Sequence, residues 1–273
     1  MKSSRKYTLG LIGCGAMGTA IAHGAVITEY LERYQICVYD HHEQRTRDLC
    51  RNESFAYMEN EKDVASQSHI TLIAVQPQAL DACLEKLKGT KIECLLTIVA
   101  GIPTSYYREK LGQDVPVIRA MPNMALSIGE GATALCMSDN TSADDYDFVF
   151  KLFASMGISR TIPESQMSQI ISVNGSTPAY FYVFLNSLLK DATSRGIEDE
   201  SARALLVQTM IGAGKLLQEH QADAIEDLIK EVCTEGGTTI EAVRSFEKNG
   251  LDRMVHEADD ACIKRAEEIG SRK

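Results

Sequence analysis

The stretch Thr8-Leu9-Gly10-Leu11-Ile12-Gly13-Cys14-Gly15-Ala16-Met17-Gly18 constrains this chain most. Leu9 to Ile12 is a short apolar run of the kind that forms a buried parallel strand. It ends in G-x-G-x-x-G, after which Ala20, Ile21, Ala22 and Ala25 recur at helical spacing. Gly13 allows a tight turn, Gly15 lets the backbone approach a pyrophosphate, and Gly18 lets helix and strand pack closely. The helix that opens here has unpaired N–H groups and a partial positive charge at its start, which suits a phosphate. A second apolar run, Ile36-Cys37-Val38-Tyr39, ends in Asp40, 22 residues after Gly18. An acidic side chain at that distance meets a ribose hydroxyl. Together these features imply a nicotinamide-dinucleotide site whose cofactor is NADPH or NADH. Asp40 argues for NADH, while His41, His42 and Arg45 are placed to receive a 2′-phosphate.

From Thr8 to about Ile162, strand-like segments at 8–12, 35–39, 70–75, 94–98, 116–120, 132–137 and 158–162 alternate with helical patterns such as Gln78–Leu87 and Thr104–Leu111. That alternation predicts an α/β fold with a doubly wound parallel sheet, whose ligands sit beyond the carboxyl ends of the strands. Three of those ends read Ala74-Val75-Gln76-Pro77, Val99-Ala100-Gly101-Ile102-Pro103 and Arg119-Ala120-Met121-Pro122-Asn123. Small residues and proline there keep the backbone close and rigid beside a cofactor. After Ile162 only helical patterns follow, at 178–196, 198–219, 222–233, 238–249 and 251–269, with an apolar face of Phe181, Phe184, Leu185, Leu188, Leu189 and Ala192 on the first. The expected organisation is a cofactor-binding domain over 1–162 and an all-helical dimerisation and substrate domain over 163–273. The candidate cofactor contacts are Gly13, Cys14, Gly15, Ala16, Met17, Gly18, Asp40, Asn60, Ala74, Val75, Gln76, Pro77, Ala100, Gly101 and Asn123, with the nicotinamide near Ala100 and Asn123.

Composition excludes several classes. A net charge of −10 without a basic stripe argues against nucleic acid. No run approaches the ~20 apolar residues of a membrane span, and the charged start Met1-Lys2-Ser3-Ser4-Arg5-Lys6 precedes too short a run for a signal peptide or anchor. The eight cysteines are scattered without C-x-x-C, which points to a reducing, cytoplasmic setting. His41-His42 has no cysteine or carboxylate cluster around it, and adjacent loop residues point apart, so no metal is expected. Tyr106-x-x-x-Lys110 has the spacing of a short-chain dehydrogenase pair, but it falls too early and reads as a helix surface. Pro163 to Tyr182 contains no lysine, so an acid/base lysine for a hydroxyl substrate is missing. An imine needs less, because a protonated C=N is already electrophilic.

Glu235-Gly236-Gly237-Thr238-Thr239-Ile240-Glu241 is the second loaded stretch. Thr238-x-x-Glu241 reads as a capping box before an amphipathic helix. Consecutive glycines at a helix start also present N–H groups suited to a carboxylate, with the Thr239 hydroxyl alongside.

Gly13-Cys14-Gly15-Ala16-Met17-Gly18, Ala74-Val75-Gln76-Pro77, Arg119-Ala120-Met121-Pro122-Asn123, Gly175-Ser176-Thr177-Pro178-Ala179-Tyr180 and Gly236-Gly237-Thr238-Thr239-Ile240 occur in an order and spacing that resembles the pyrroline-5-carboxylate reductase family across nearly the whole chain. The resemblance implies a Rossmann-type domain followed by a helical domain interlocked with a second subunit, and dimers that assemble into decamers. It implies reduction of 1-pyrroline-5-carboxylate to L-proline by NAD(P)H, the last step of proline biosynthesis. It also implies a small-molecule substrate held by Gly236, Gly237, Thr238, Thr239 and Ser176, with Thr239 the proton donor to the ring nitrogen. Gln76, Thr177 and Thr234-Glu235 depart from the family's usual lysine, glycine and Ser-Pro. Those departures leave open a paralogue that reduces another cyclic imine or a keto acid, and a non-catalytic dinucleotide-binding regulator is the reading from a different class.

Overall fold

The computed structural model describes residues 5–271 and resolves into two compact units. One comprises the chain up to Ser176 together with Cys262 onward, and the other is Thr177–Ala261.

The first unit is built on an eight-stranded sheet of order β3-β2-β1-β4-β5-β6-β7-β8. Its strands are β1 (Tyr7–Ile12), β2 (Ile36–Tyr39), β3 (Ala56–Tyr57), β4 (Ser68–Ile73), β5 (Cys94–Thr97), β6 (Val117–Met121), β7 (Gly131–Met137) and β8 (Gly157–Thr161). Alternate residues serve opposite faces, and both faces are apolar. Leu9, Leu11, Ile70, Leu72, Leu96 and Ile118 pack under α1 (Ala16–Ile27), α2 (Glu43–Glu53) and α6 (Ala143–Ala154). Ile12, Ile73, Leu95 and Val117 pack under α3 (Glu61–Gln67), α4 (Leu80–Leu87) and α5 (Thr104–Leu111). A sheet covered on both sides explains why its strands read as continuous apolar runs.

All seven strand-like segments of the sequence are strands. The sheet is parallel throughout except between β6 and β7, where Ile118 faces Met137 and Met121 faces Ala134 in antiparallel register. The purely parallel expectation is corrected there. A parallel crossover needs about a dozen residues or more, whereas the connection 122–130 holds only one 3₁₀ turn at Met124–Ile128. The two-residue β3 left no periodic trace in the sequence.

Strand order reverses between β1 and β4, which carry the glycine turn and Ala74-Val75 at their carboxyl ends. This switch point is where a doubly wound sheet opens a crevice.

The second unit contains α7 (Thr177–Ser194), α8 (Asp199–Glu219), α9 (Ile225–Val232), α10 (Thr238–Lys248) and the first half of α11 (Leu251–Ser271). Helix α7 packs on α8, and Phe184 meets Phe246 of α10 with ring centroids 5.9 Å apart. Ala202 is its one buried hydrophobic residue among the described residues. No helix among the described residues is long and apolar enough to cross a membrane.

Candidate active site

The glycine turn is shaped by contacts that only glycine allows. Gly13 has φ +102°, and a Cβ there would lie 2.8 Å from the Ala74 carbonyl. At Gly18 a Cβ would overlap the Gly13 carbonyl oxygen and crowd Ala74 and Leu11. At Gly15 a Cβ would meet nothing within 4 Å. Gly13 and Gly18 therefore bring helix and strand together, and Gly15 faces open space. Gly15 is also the N-cap of α1, whose start has no side-chain cap and no acidic residue in its first turn. Its free N–H groups suit a pyrophosphate. Ala16 is exposed and Met17 half-buried on that first turn, and the buried Cys14 has its thiol pushed up to about 12, first by burial and then by Asp40. Cys14 contributes backbone here, not a nucleophile.

Asp40, at the end of β2, reaches across the turn. Its Oδ2 accepts the Cys14 N–H at 2.7 Å and its Oδ1 accepts the His42 N–H at 2.9 Å. Arg45 donates to the Cys14 carbonyl. The His41 and His42 rings do not point apart, as adjacent loop residues were expected to: their centroids lie 3.9 Å from one another. Their nitrogens and the Asp40 carboxylate fall within 4.8 Å of one another, but both histidines are exposed and Asp40 is already engaged by the backbone.

Beside Asp40 opens a cavity of about 180 Å³ lined by Ile12, Tyr39, Asp40, Glu61, Val75, Ala79, Cys83 and Lys86 among others. Its size and mostly apolar walls suit an adenosine. Glu61 and Lys86, which sequence reasoning passed over, pair across it at 2.9 Å, and that hydrogen bond holds the Lys86 ammonium above its ordinary range. Asn60 turns both polar ends of its side chain to the start of α3, accepting from the Asp63 N–H at 2.9 Å and donating to the Asp63 carboxylate at 2.8 Å.

The remaining strand ends lie along the same edge. Ala74 and Val75 follow β4, Gln76 is exposed, and Pro77 opens a 3₁₀ turn. Gly101 packs closely against α11: a Cβ on Gly101 would overlap the Ala266 carbonyl oxygen, and one on Gly270 would overlap the Gly101 carbonyl oxygen. Asn123 is buried and engaged at both polar ends: its Oδ1 accepts from Ala125 and Ala132, and its Nδ2 donates to the Asn174 carbonyl at 3.1 Å. Asn174 sits in a π-helical turn, Ile171–Gly175, and donates to the Met121 and Ala132 carbonyls at 2.7 Å each. It ties the end of β6 to the start of β7, a role with no signature in the sequence. Ser176 follows this turn, its Oγ 3.2 Å from the Cys262 thiol.

Arg119, in the middle of β6, is buried and pairs with Glu164 at 3.0 Å. Glu164 also accepts the N–H and hydroxyl of Thr104 at the start of α5. Burial would push its carboxyl up, but these hydrogen bonds and Arg119 outweigh that and hold it below the usual range. The Tyr106/Lys110 pattern is not the plain helix surface expected. Tyr106 is buried and donates to Asp81, and burial followed by that bond pushes its hydroxyl up to about 12. So high a value unsuits it for proton transfer near neutrality.

In the second unit, Gly236 has φ +72° and Gly237 donates to the Thr234 carbonyl at 3.0 Å. A Cβ on Gly237 would lie 2.6 Å from the Thr234 hydroxyl. Gly237, not Thr238, is the N-cap of α10, and no side chain caps this helix. The capping-box reading is therefore corrected: Glu241 turns away to pair with Arg244 at 2.6 Å. What remains is a helix start with unclaimed N–H groups, exposed Thr238 and Thr239 hydroxyls, and an exposed Glu235.

Comparison with known proteins adds to this geometry. Residues 164–269 match the family model described as "Pyrroline-5-carboxylate reductase dimerisation", and residues 8–101 match "NADP oxidoreductase coenzyme F420-dependent". The chain is 31% identical to the pyrroline-5-carboxylate reductase of Haemophilus influenzae, covering 96% of this chain and 97% of that one. It is 28% identical to the Methanosarcina acetivorans enzyme of the same name over 97% and 98%. Among solved structures it resembles the NADP-bound pyrroline carboxylate reductase of Plasmodium falciparum, with a TM-score of 0.89, 26% identity, and coverage of 98% of this chain and 100% of that one.

Proposed function

This chain belongs to the pyrroline-5-carboxylate reductase family, and we infer from that membership and from its two open helix starts that it reduces 1-pyrroline-5-carboxylate to L-proline with NAD(P)H. It is an oxidoreductase acting on a C=N bond, and the reaction completes proline biosynthesis.

The first unit fits the cofactor. Gly15 opens a cradle that a Cβ would enter, and the uncapped start of α1 would supply N–H donors to a pyrophosphate. Gly13 to Gly18 would hold the pyrophosphate, Asp40 the adenosine ribose, and the cavity beside Tyr39 and Val75 the adenine. Ala74, Ala100, Gly101 and Asn123 would border the nicotinamide half along the strand-end edge, with Val75 to Pro77 and Asn60 on the adenosine side. Bound there, the reduced nicotinamide supplies the hydride that the C=N carbon accepts.

The chain's own groups do the rest. The Thr238 N–H at the open start of α10 grips the substrate carboxylate, Gly237 closes the turn before it by donating its own N–H to the Thr234 carbonyl, Gly236 gives the loop its left-handed bend, and Ser176 borders the ring. Thr239 donates a proton to the ring nitrogen as the carbon is reduced and recovers one from solvent, to which it is exposed. The observation that carries this reading is the start of α10: a Gly-Gly-Thr-Thr helix opening that no side chain of its own unit caps. Such a start is an anion site held ready.

The matched dimerisation region makes the protein an oligomer. Interlocking of two copies through the helices of the second unit, and assembly of such dimers into a decamer, extend that. Support comes from apolar side chains left in solvent on α7 and α8, where Val183 is 68% and Leu205 69% exposed. Patches of this kind mark an interface. Six of the eight cysteines are buried thiols, which supports a cytoplasmic setting.

The test is to follow NADH and NADPH absorbance with 1-pyrroline-5-carboxylate and with its six-membered homologue, quantifying proline. Turnover of the five-membered imine to proline supports the reading. Turnover of the homologue alone, or cofactor binding without any turnover, contradicts it.

A further inference from the structure

We propose that Asp40, His41 and His42 form a binding site for a divalent transition-metal ion of the zinc type, and that this ion and the dinucleotide exclude one another. The second half rests on the cofactor half of the reading above. One donor atom from each of the three residues lies within 4.8 Å of the other two. Among them, His41 Nδ1 and Asp40 Oδ1 are 3.1 Å apart. Ligands about 2.1 Å from a tetrahedral zinc lie about 3–3.5 Å from one another, so an ion fits between these two atoms in place of the proton they share. A neutral imidazole can carry that proton on Nε2 instead, which frees the Nδ1 lone pair. His42 stacks on His41 with ring centroids 3.9 Å apart, and its exposed side chain can swing a nitrogen the remaining distance.

The backbone prepares the carboxylate. Asp40 is 9% exposed, and the N–H groups of Cys14 and His42 hold Oδ2 at 2.7 Å and Oδ1 at 2.9 Å. Hydrogen bonds of this kind orient a metal-ligating carboxylate, and each oxygen keeps a second lone pair. The exposed histidines leave the ion's remaining position to water, as at an open zinc site. Other acids of the surrounding basin are committed elsewhere: Glu43 pairs with Arg47 at 2.8 Å, and Asp48 accepts from Gln44 at 3.1 Å. Arg45 lines the same basin and donates to the Cys14 carbonyl, so its positive charge opposes any cation held by charge alone. One carboxylate beside that guanidinium does not hold calcium or magnesium, which need several oxygens. Two imidazoles instead select an ion that bonds to nitrogen. Once the ion takes Oδ1, the Asp40 charge is neutralised and one acceptor that the ribose would use is gone.

The experiment is calorimetric titration of Zn²⁺ into the full chain at about pH 7.5, without imine, with Co²⁺ absorption as a second readout. The wild type is expected to bind zinc at least about tenfold more tightly than His41→Gln or His42→Gln does. Its Co²⁺ spectrum should show d–d bands without a sulfur charge-transfer band. NADH affinity, followed by fluorescence, should fall about tenfold at saturating zinc in the wild type and less in the variants. By linkage, NADH should weaken zinc binding by the same factor. Equal zinc affinity in the three proteins overturns the proposal. So does a sulfur-to-cobalt band, which moves the ion to a cysteine, or NADH binding untouched by zinc. Both histidines are exposed, so the variants are expected to fold. If the chain binds no dinucleotide, the cofactor reading fails and the zinc titrations decide this site alone. Failure to reduce the imine would count only against the proposed reaction.

Discussion

The Asp40 carboxylate accepts the Cys14 N–H at 2.7 Å, so the acid that ends β2 is fastened to the middle of the glycine turn that follows β1. Two neighbouring strands thereby present one preformed surface, with the ribose acceptor and the phosphate-facing amides in fixed register. Preorganisation of this kind lowers the ordering cost of binding a flexible dinucleotide.

The glycines of that surface divide into two kinds, and substitution separates them. Gly15→Ala adds a methyl to open space at a φ of −69°, which alanine adopts freely. Thermal stability should hold while NADH affinity falls about tenfold or more, equivalent to about 1.4 kcal/mol. Gly18→Ala drives a methyl into the Gly13 carbonyl and should cost about 1–3 kcal/mol of stability by overpacking. Melting curves and NADH titrations of both variants check this. Equal destabilisation by the two would contradict the division.

Much of this was legible in the sequence because parallel strands buried on both faces read as uninterrupted apolar runs. Thr104–Leu111 was expected as a helix and is one, and the glycine turn was legible from its spacing together with the apolar run before it, the helical pattern after it and Asp40 beyond. What escaped the reading was set by tertiary contacts. The antiparallel β6–β7 pair follows from a connection too short for a crossover, and Asn174 acts through two carbonyls distant in sequence. The Thr238/Glu241 capping box failed because Gly237 takes the N-cap position and Glu241 finds Arg244. Engagement of Asp40 by Cys14 leaves no mark in residue pattern at all.

Glu164 should give the fold a pH-dependent component. Its native pKa lies below its ordinary 4.5. The stabilisation is therefore fully present above that ordinary value and is lost as pH falls through the lowered native one. Glu164→Gln leaves the Arg119 guanidinium, 4% exposed, without its carboxylate. Breaking a fully buried pair costs about 3–5 kcal/mol, and because the Glu164 side chain is 34% exposed, about 1–2 kcal/mol is expected here. Melting of both proteins from pH 7 to pH 3 should show the gap closing with acid. A constant gap would count against the assignment.

The second unit should depend on its partner copy. Val183→Asp and Leu205→Asp place a charge on exposed apolar positions, which costs little in a lone chain. At a buried subunit interface the same charge is uncompensated and disruptive. Light scattering should report smaller particles for both variants, with the first unit still binding NADH. Unchanged mass would move the interface elsewhere.

The central claim, that imine reduction depends on the Thr239 hydroxyl at the start of α10, is tested most directly by kcat for NAD(P)H oxidation with 1-pyrroline-5-carboxylate in the wild-type chain and in Thr239→Ala. The account predicts proline formation by the wild type and a fall in kcat of roughly 10- to 1,000-fold in the variant, with NADH affinity unchanged. A variant that makes proline at the wild-type rate would contradict it.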